Sequence, residues 1–343
     1  MTSRRAKAGT RASPRLASLG LRLALLLAVL ASACTGATRP GAAPSGRETK
    51  DMPREGRIPV ANASLYYREV GEGPPMVVLH GGPDFDHRYL LPDLDRLSDS
   101  YRLIYYDQRG RGLSGDGVQP EDVTMASEVE DLEQVRAYFR LESVAILGHS
   151  FGTVLALEYA IRHPDRVSRL ILMNPAPASR DDFLLFRRER RRRWPADVEE
   201  LKVLGSAVAY RDADPDAVAA YYRVHFRSAI RRPEHLERVV ESLRASFTRV
   251  GILRARRIED RLVDETWSVD GYDLLPALAA LRSPALVIQG DGDIIPGECA
   301  SHIAQAILNA RLVTLAGCGH FSYLECPGPV HEAIDELFRA AGR

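Results

Sequence analysis

No charge of one sign dominates this chain, because 46 basic and 46 acidic residues cancel across 343 positions. That balance leaves no electrostatic footprint for nucleic acid or for a polyanionic partner. Cysteine is scarce, with four residues and no Cys-x-x-Cys pair, so no zinc site is indicated. Apolar runs are short as well. The uncharged stretch at residues 23–33 has 11 residues, whereas a bilayer-spanning helix needs roughly 20. A permanent transmembrane helix is therefore the weaker reading of it.

The flanks of that stretch carry more information than its length. Arg4, Arg5, Lys7, Arg11, Arg15 and Arg22 precede it, and small residues lead from it to Cys34. A basic flank, an apolar stretch and small residues are the layout of an export signal. Leu30-Ala31-Ser32-Ala33-Cys34 resembles a bacterial lipobox with Leu one position early, which makes residues 1–34 the signal and Cys34 the lipidation site. An ordinary signal peptide with an incidental Cys34 is the alternative. Residues 35–56, rich in Gly, Ala, Pro, Ser, Thr and Arg, read as a flexible tether. The expected location is a bacterial envelope, as a membrane-anchored lipoprotein or else as a periplasmic or secreted protein.

Beyond the tether, short apolar runs at residues 76–79, 103–106, 144–147, 170–173, 285–288 and 311–315 predict strands buried on both faces. Helical patterns at 88–98, 125–139, 153–163, 300–308 and 330–340 alternate with them. That alternation predicts an α/β fold with a mostly parallel central sheet flanked by crossover helices. Residues 64–70 form a lead-in antiparallel strand. Residues 176–283 carry helical character without convincing strands, which predicts an inserted helical cap between core segments 57–175 and 284–343. The basic run from Arg187 to Arg193 inside the cap reads as a solvated helix face.

The chemistry concentrates at strand ends. Gly148-His149-Ser150-Phe151-Gly152 follows the run at 144–147 and opens a helical pattern, which is Gly-x-Ser-x-Gly in a strand-turn-helix context. Such a turn exposes the Ser hydroxyl, but a hydroxyl is a poor nucleophile at neutral pH and needs a base. Two carboxylates follow the strand at 285–288, Asp291 and Asp293, in Gly290-Asp291-Gly292-Asp293. His320 lies in Gly317-Cys318-Gly319-His320 after the last strand. His80-Gly81-Gly82-Pro83 follows the first parallel strand, and Asp107-Gln108-Arg109-Gly110 follows the second.

Together these residues resemble the α/β-hydrolase superfamily, and within it the proline iminopeptidase branch, over roughly residues 60–175 and 284–340. The resemblance implies Ser150 as nucleophile, His320 as general base and Asp293 as orienting acid, with Asp291 the competitor for the last role. It implies an oxyanion hole from the backbone N–H groups of Phe151 and Gly82. His80 then braces its loop, and the Asp107 turn is structural, with Gln108 and Arg109 near the site mouth. Asp84 stands where iminopeptidases usually have Gly, and Gly148-His149-Ser150-Phe151-Gly152 replaces their Gly-Gly-Ser-Trp-Gly, a form that also suits esterases.

The expected activity is hydrolysis, through an acyl-enzyme, of a small ester or amide. The amide case includes release of N-terminal proline or another residue from a peptide; carboxylesterase or lactonase action is the alternative. A catalytically silent surface binding protein is the reading from another class. The partner is a small-molecule or short-peptide substrate, and no metal or organic cofactor is required. Iminopeptidases recognise the free amine with acidic cap residues, for which Glu199, Glu200, Glu259 and Glu265 are open choices. Cys318 and Cys326 form either a disulfide beside His320 or two buried thiols, and Cys299 completes the odd set of three.

Overall fold

The computed structural model describes residues 52–340. The export signal, Cys34 and the tether up to residue 51 lie outside the described residues. Eight strands form one sheet in the order β1-β2-β4-β3-β5-β6-β7-β8. They are β1 Arg54–Val60, β2 Ala63–Val70, β3 Pro75–Leu79, β4 Arg102–Tyr106, β5 Val144–His149, β6 Val167–Met173, β7 Ala285–Gly290 and β8 Ala310–Leu315. The β1–β2 and β2–β4 pairs are antiparallel, and all pairs from β4 to β8 are parallel.

Alternation along the strands divides the core in two. Val77, Leu79, Ile104, Ile146, Leu170 and Val287 face one hydrophobic cluster, while Met76, Val78, Leu103, Leu147, Ile171 and Leu286 face the other. Helices α1 Met125–Tyr138 and α2 Phe151–Arg162 cover the first face. Between β6 and β7 the chain is helical: α3 Arg180–Arg193, α4 Pro195–Ser206, α5 Val208–Arg211, α6 Pro215–Arg227, α7 Leu236–Arg244, α8 Arg249–Glu265 and α9 Leu275–Leu278. Then come α10 Gly297–Ala306, α11 Ser322–Glu325 and α12 Pro327–Ala340, with Val330, Ile334 and Leu337 of α12 packed on the second face.

Two local expectations need correction. Residues 54–56, read as the end of a tether, belong to β1, because Arg54, Glu55 and Gly56 pair with Glu69, Arg68 and Tyr67. This edge strand buries little besides Ile58, so its apolar signal is weak. Residues 88–98, read as one helix, are two 3-10 turns, His87–Leu90 and Leu94–Asp99. Pro92 separates them, since it lacks an amide hydrogen and restricts the residue before it.

Candidate active site

The carboxyl ends of the parallel strands meet at one place, and the backbone there is arranged around Ser150. This residue has φ +53° and ψ −123° between β5 and α2, a left-handed conformation that costs energy in a side-chain-bearing residue. Surrounding bonds hold it: its N–H donates to Met173 O at 3.1 Å, and its carbonyl accepts from Thr153 N at 2.9 Å and Thr153 Oγ1 at 2.6 Å. The flanking glycines are a steric requirement. A Cβ on Gly148 would lie 2.6 Å from Gly152 O, and one on Gly152 would strike the Leu79 carbonyl.

His320 Nε2 lies 2.9 Å from Ser150 Oγ, and its Nδ1 lies 2.9 and 3.1 Å from the two carboxylate oxygens of Asp293. With Nδ1–H directed at Asp293, Nε2 is free to accept the hydroxyl proton. Asp293 is buried and also accepts from Ile295 N at 2.9 Å and Asn174 Nδ2 at 2.8 Å. Asp291 is exposed and accepts from Gly317 N at 2.9 Å, a turn contact remote from the imidazole. The geometry thus brings together Ser150, His320 and Asp293 and leaves Asp291 aside.

Gly82 and Phe151 line the same cavity as Ser150 and His320. Gly82 has φ +116°, where a side chain would collide with the Asp84 and Phe85 backbone. Phe151 opens α2, so its N–H is among those without an intrahelical partner and sits at the positive end of the helix dipole. Both amides are therefore suited to a developing oxyanion. His80 braces their loop: Gln108 N donates to its Nε2 at 3.0 Å, and its Nδ1 lies 2.9 Å from Gly81 O. Burial, with Arg111 nearby, holds His80 down to about 4, so the ring is neutral.

Gln108 and Arg109 do not reach the site mouth. Arg109 is pinned to Asp131 of α1, with Nε at 2.8 Å from the carboxylate, and Gln108 is held by His80 O and Arg111 at 2.8 and 2.7 Å. Charged groups buried this deeply need such partners, and the turn residues supply them to each other instead of to a ligand.

Two features escaped the sequence reading, the role of Asn174 and the bridge made by His149, whereas the Cys318–Cys326 disulfide was one of its two alternatives. Asn174, at φ +48° after β6, donates to Asp293 and to Gly319 O and accepts from Ser322 Oγ, tying the acid to the His320 loop. A polar residue closing a buried strand was the available signal. His149 bridges Tyr89 Oη at 2.7 Å and His320 O at 2.9 Å, while Gly81 N donates to the same Tyr89 oxygen at 2.7 Å. Burial, then the neighbouring His320, lowers His149 to about 3. Its neutral ring therefore links the Gly82 loop to the His320 loop through Tyr89. Cys318 and Cys326 form a disulfide across that second loop, with Cα atoms 6.2 Å apart, and Cys299 is a buried free thiol.

The cavity has a volume of about 510 Å³, within the range of small-ligand sites. Its cap side is aromatic, with Trp267 stacked on Phe183 at 4.5 Å and meeting Phe151 edge-on at 5.7 Å. Of the four carboxylates considered for amine recognition, only Glu259 lines it. Glu199 pairs with Lys202, Glu200 with Arg227, and Glu265 accepts from Met125 N. Asp84 joins Glu259 in the cavity and accepts from Tyr222 Oη. Burial raises both carboxyl pKa values, Glu259 well above the usual range, where the charge of Asp84 adds to the effect.

This geometry has known counterparts. Residues 74–327 match the family model described as alpha/beta hydrolase fold. A proline iminopeptidase of Clostridium botulinum is 36% identical over 288 residues, covering 79% of this chain and 93% of the relative. One from Lactobacillus helveticus is 27% identical over 293 residues, covering 79% and 92%. Among solved structures, the proline iminopeptidase of Mycobacterium smegmatis superposes with a TM-score of 0.64 at 21% identity, covering 83% of this chain and 98% of that one. The enol-lactonase of Burkholderia xenovorans gives 0.61 at 22% identity, covering 83% and 100%. At those identities the structures speak for the fold alone.

Proposed function

The chain belongs to the α/β-hydrolase family and resembles its proline iminopeptidases, and from that premise we propose that it is a serine hydrolase that releases the N-terminal residue, proline among others, from short peptides. The observation that carries this is the unbroken chain from Asp293 through His320 to Ser150 Oγ, opening on a cavity whose lining includes two carboxylates.

In the proposed reaction Ser150 Oγ attacks the scissile carbonyl carbon while His320 Nε2 takes its proton. The carbonyl oxygen becomes an oxyanion held by the N–H groups of Gly82 and Phe151. Collapse breaks the C–N bond, His320 returns the proton to the departing amine, and an acyl group remains on Ser150. Water, deprotonated by His320, then cleaves that ester and restores the serine. Asp293 holds the tautomer and stabilises the imidazolium. Asp84 and Glu259 receive the ammonium of the substrate's N-terminal residue, whose charge favours ionisation of both.

Nothing in the triad separates an amide from an ester. The Phe after the nucleophile and the aromatic cap lining support the ester or lactone reading, whereas the pair of carboxylates supports an amine-bearing substrate. Proline 4-nitroanilide and a neutral 4-nitrophenyl ester decide between them. The expected result is turnover of the anilide that falls about tenfold to a hundredfold in kcat/KM in Glu259→Gln, with Ser150→Ala inactive on both substrates. Ester turnover alone, insensitive to Glu259→Gln, contradicts the peptidase reading.

The same proposal extends to location. A Cys34-linked lipid on an exported chain would set the hydrolase at a membrane surface of the bacterial envelope, and the Cys318–Cys326 disulfide favours an oxidising compartment. Membrane fractionation tests it: the wild type should sediment with membranes and Cys34→Ala should be released, and unchanged partitioning overturns the anchor.

A further inference from the structure

The basic run of α3 is not uniformly solvated. Positions 183, 186, 187 and 190 recur at helical spacing, and Phe183, Phe186, Arg187 and Arg190 all line the cavity above Ser150. Arg192 instead pairs outside with Glu189, and Arg193 stacks on Trp194 at 4.1 Å. Arg190 is thus half-buried against the cavity and Arg187 lies exposed at its rim, while Arg193 also donates to Asp293 O at 3.3 Å.

Arg190 is unusual among them. Its Nη2 donates to His225 Nδ1 at 3.2 Å, a neutral partner, and its Nε is buried without any hydrogen-bond partner. Among the described residues it makes no ion pair, although Tyr221 and then Asp197 act on it electrostatically. Burial lowers its pKa, and burial followed by Arg190 itself lowers that of His225 well below the usual imidazole range. Arg187 lies over the Phe183 ring at 5.8 Å. Arg190 lines the cavity with no acidic partner for its charge, which makes it an incomplete recognition site, because a guanidinium fork fits a carboxylate with two parallel bonds.

Position gives the subsite a direction. Asp84 stands two residues after Gly82 on the oxyanion loop and interacts electrostatically with Glu259. Arg190 touches His225, whose ionisation is in turn opposed by His320. Among the charged residues lining the cavity, Asp84 and Glu259, which also feel Arg256, group on the oxyanion-loop side, and Arg190 groups with His225 at the other end, the one assigned to the leaving group. Tyr221 lines the cavity as well and feels Arg190, Glu259, Asp84 and Arg256 together.

We propose that Arg190, with Arg187 one turn before it, binds the free carboxylate of the leaving group, so that the cavity selects short zwitterionic peptides, dipeptides foremost, by their two charged ends. This deepens the N-terminal-residue reading and rests on it for the amine end, while the carboxylate subsite stands on α3 alone.

The test compares prolyl-leucine with prolyl-leucinamide, which differ only in the terminal charge. Wild type should favour the free acid by about tenfold to a hundredfold in kcat/KM, mainly through KM. Arg190→Gln should bring that ratio close to one, Arg190→Lys should restore part of it, and Arg187→Gln should reduce it less. Circular dichroism and thermal melting establish that each variant is folded. The same ratio is read on phenyl esters carrying a carboxylate or a carboxamide on the leaving ring. If prolyl substrates are refused but the ester ratio depends on Arg190, the peptidase reading fails and the carboxylate subsite holds. A wild-type ratio near one on both substrate pairs, or a ratio unchanged in Arg190→Gln and Arg187→Gln, overturns the proposal.

Discussion

The floor of the cavity and its roof follow different rules. On the floor, Ser150, His320 and Asp293 each have assigned partners, and Asn174, Tyr89 and His149 fix the loops that carry them. On the roof, Glu259 is held at a raised pKa beside Asp84, and Arg190 keeps an unpartnered buried N–H. A fully satisfied polar network is preorganised and needs no ligand to complete it. Incompletely compensated, part-buried ionisable groups lining a cavity are costly until a ligand of complementary charge arrives. Under the proposed reaction, the difference separates the residues assigned to the chemistry from those assigned to choosing the substrate.

The largest effect expected on the floor distinguishes its two neighbouring carboxylates. Asp293→Asn should lower kcat by about 10⁴, as loss of the orienting acid does in a triad, while Asp291→Asn should change it less than about twofold. Steady-state kinetics on any accepted substrate reads both, and equal losses would dissolve the distinction drawn from the His320 contacts. Asn174→Ala removes the amide that joins Asp293 to Gly319 O. It should cost about tenfold to a hundredfold in kcat, the worth of a buried hydrogen bond to a charged group. An unchanged kcat would return Asn174 to a purely local role.

The floor also has an acid limit. Burial holds His149 to about 3 and His80 to about 4 in the folded chain, against 6.5 for a free imidazole. Between those values the unfolded chain binds more protons, so stability falls as pH drops from 6.5 toward 4 and these two groups contribute no slope above that window. Urea midpoints at pH 7.5, 6 and 4.5 should decline in that order; a midpoint flat down to 4.5 contradicts neutral buried rings. A smaller effect is expected from the disulfide across the His320 loop, which closes a separation of eight residues. Opening it with Cys318→Ser should remove about 2–3 kcal/mol in the chain-entropy model, a fall of several degrees in Tm. Calorimetry of the variant reads it, and an unchanged Tm would mean that the hydrogen bonds of Asn174, Glu325, His149 and Ala229 hold the loop without the disulfide.

The sheet and the loops that carry Ser150, Asp293 and His320 were legible in the sequence. Strands buried on both faces leave continuous apolar runs, and the glycines at 148 and 152 are demanded by backbone contacts that no other residue tolerates. Ser150, Asp293 and His320 each follow such a run, so local sequence located them. Asn174 was missed because its partners lie 119 and 145 positions away. The roof was opaque for a related reason. Helical spacing reveals that Arg187 and Arg190 share a face with Phe183 and Phe186, but not whether that face meets solvent or the cavity. Likewise Glu259 is distinguished from the other three carboxylates only by the tertiary structure, which places it in one cavity with Asp84 and Ser150. The weak β1 strand, with Ile58 its one fully buried side chain, left too little apolar pattern to register.

The central claim is that Ser150 is the nucleophile activated through His320. Treatment of folded protein with a fluorophosphonate, followed by peptide mass mapping, tests it directly. The account predicts one stoichiometric adduct on Ser150, absent in Ser150→Ala and formed far more slowly in His320→Ala; no adduct, or an adduct on another residue, would contradict it.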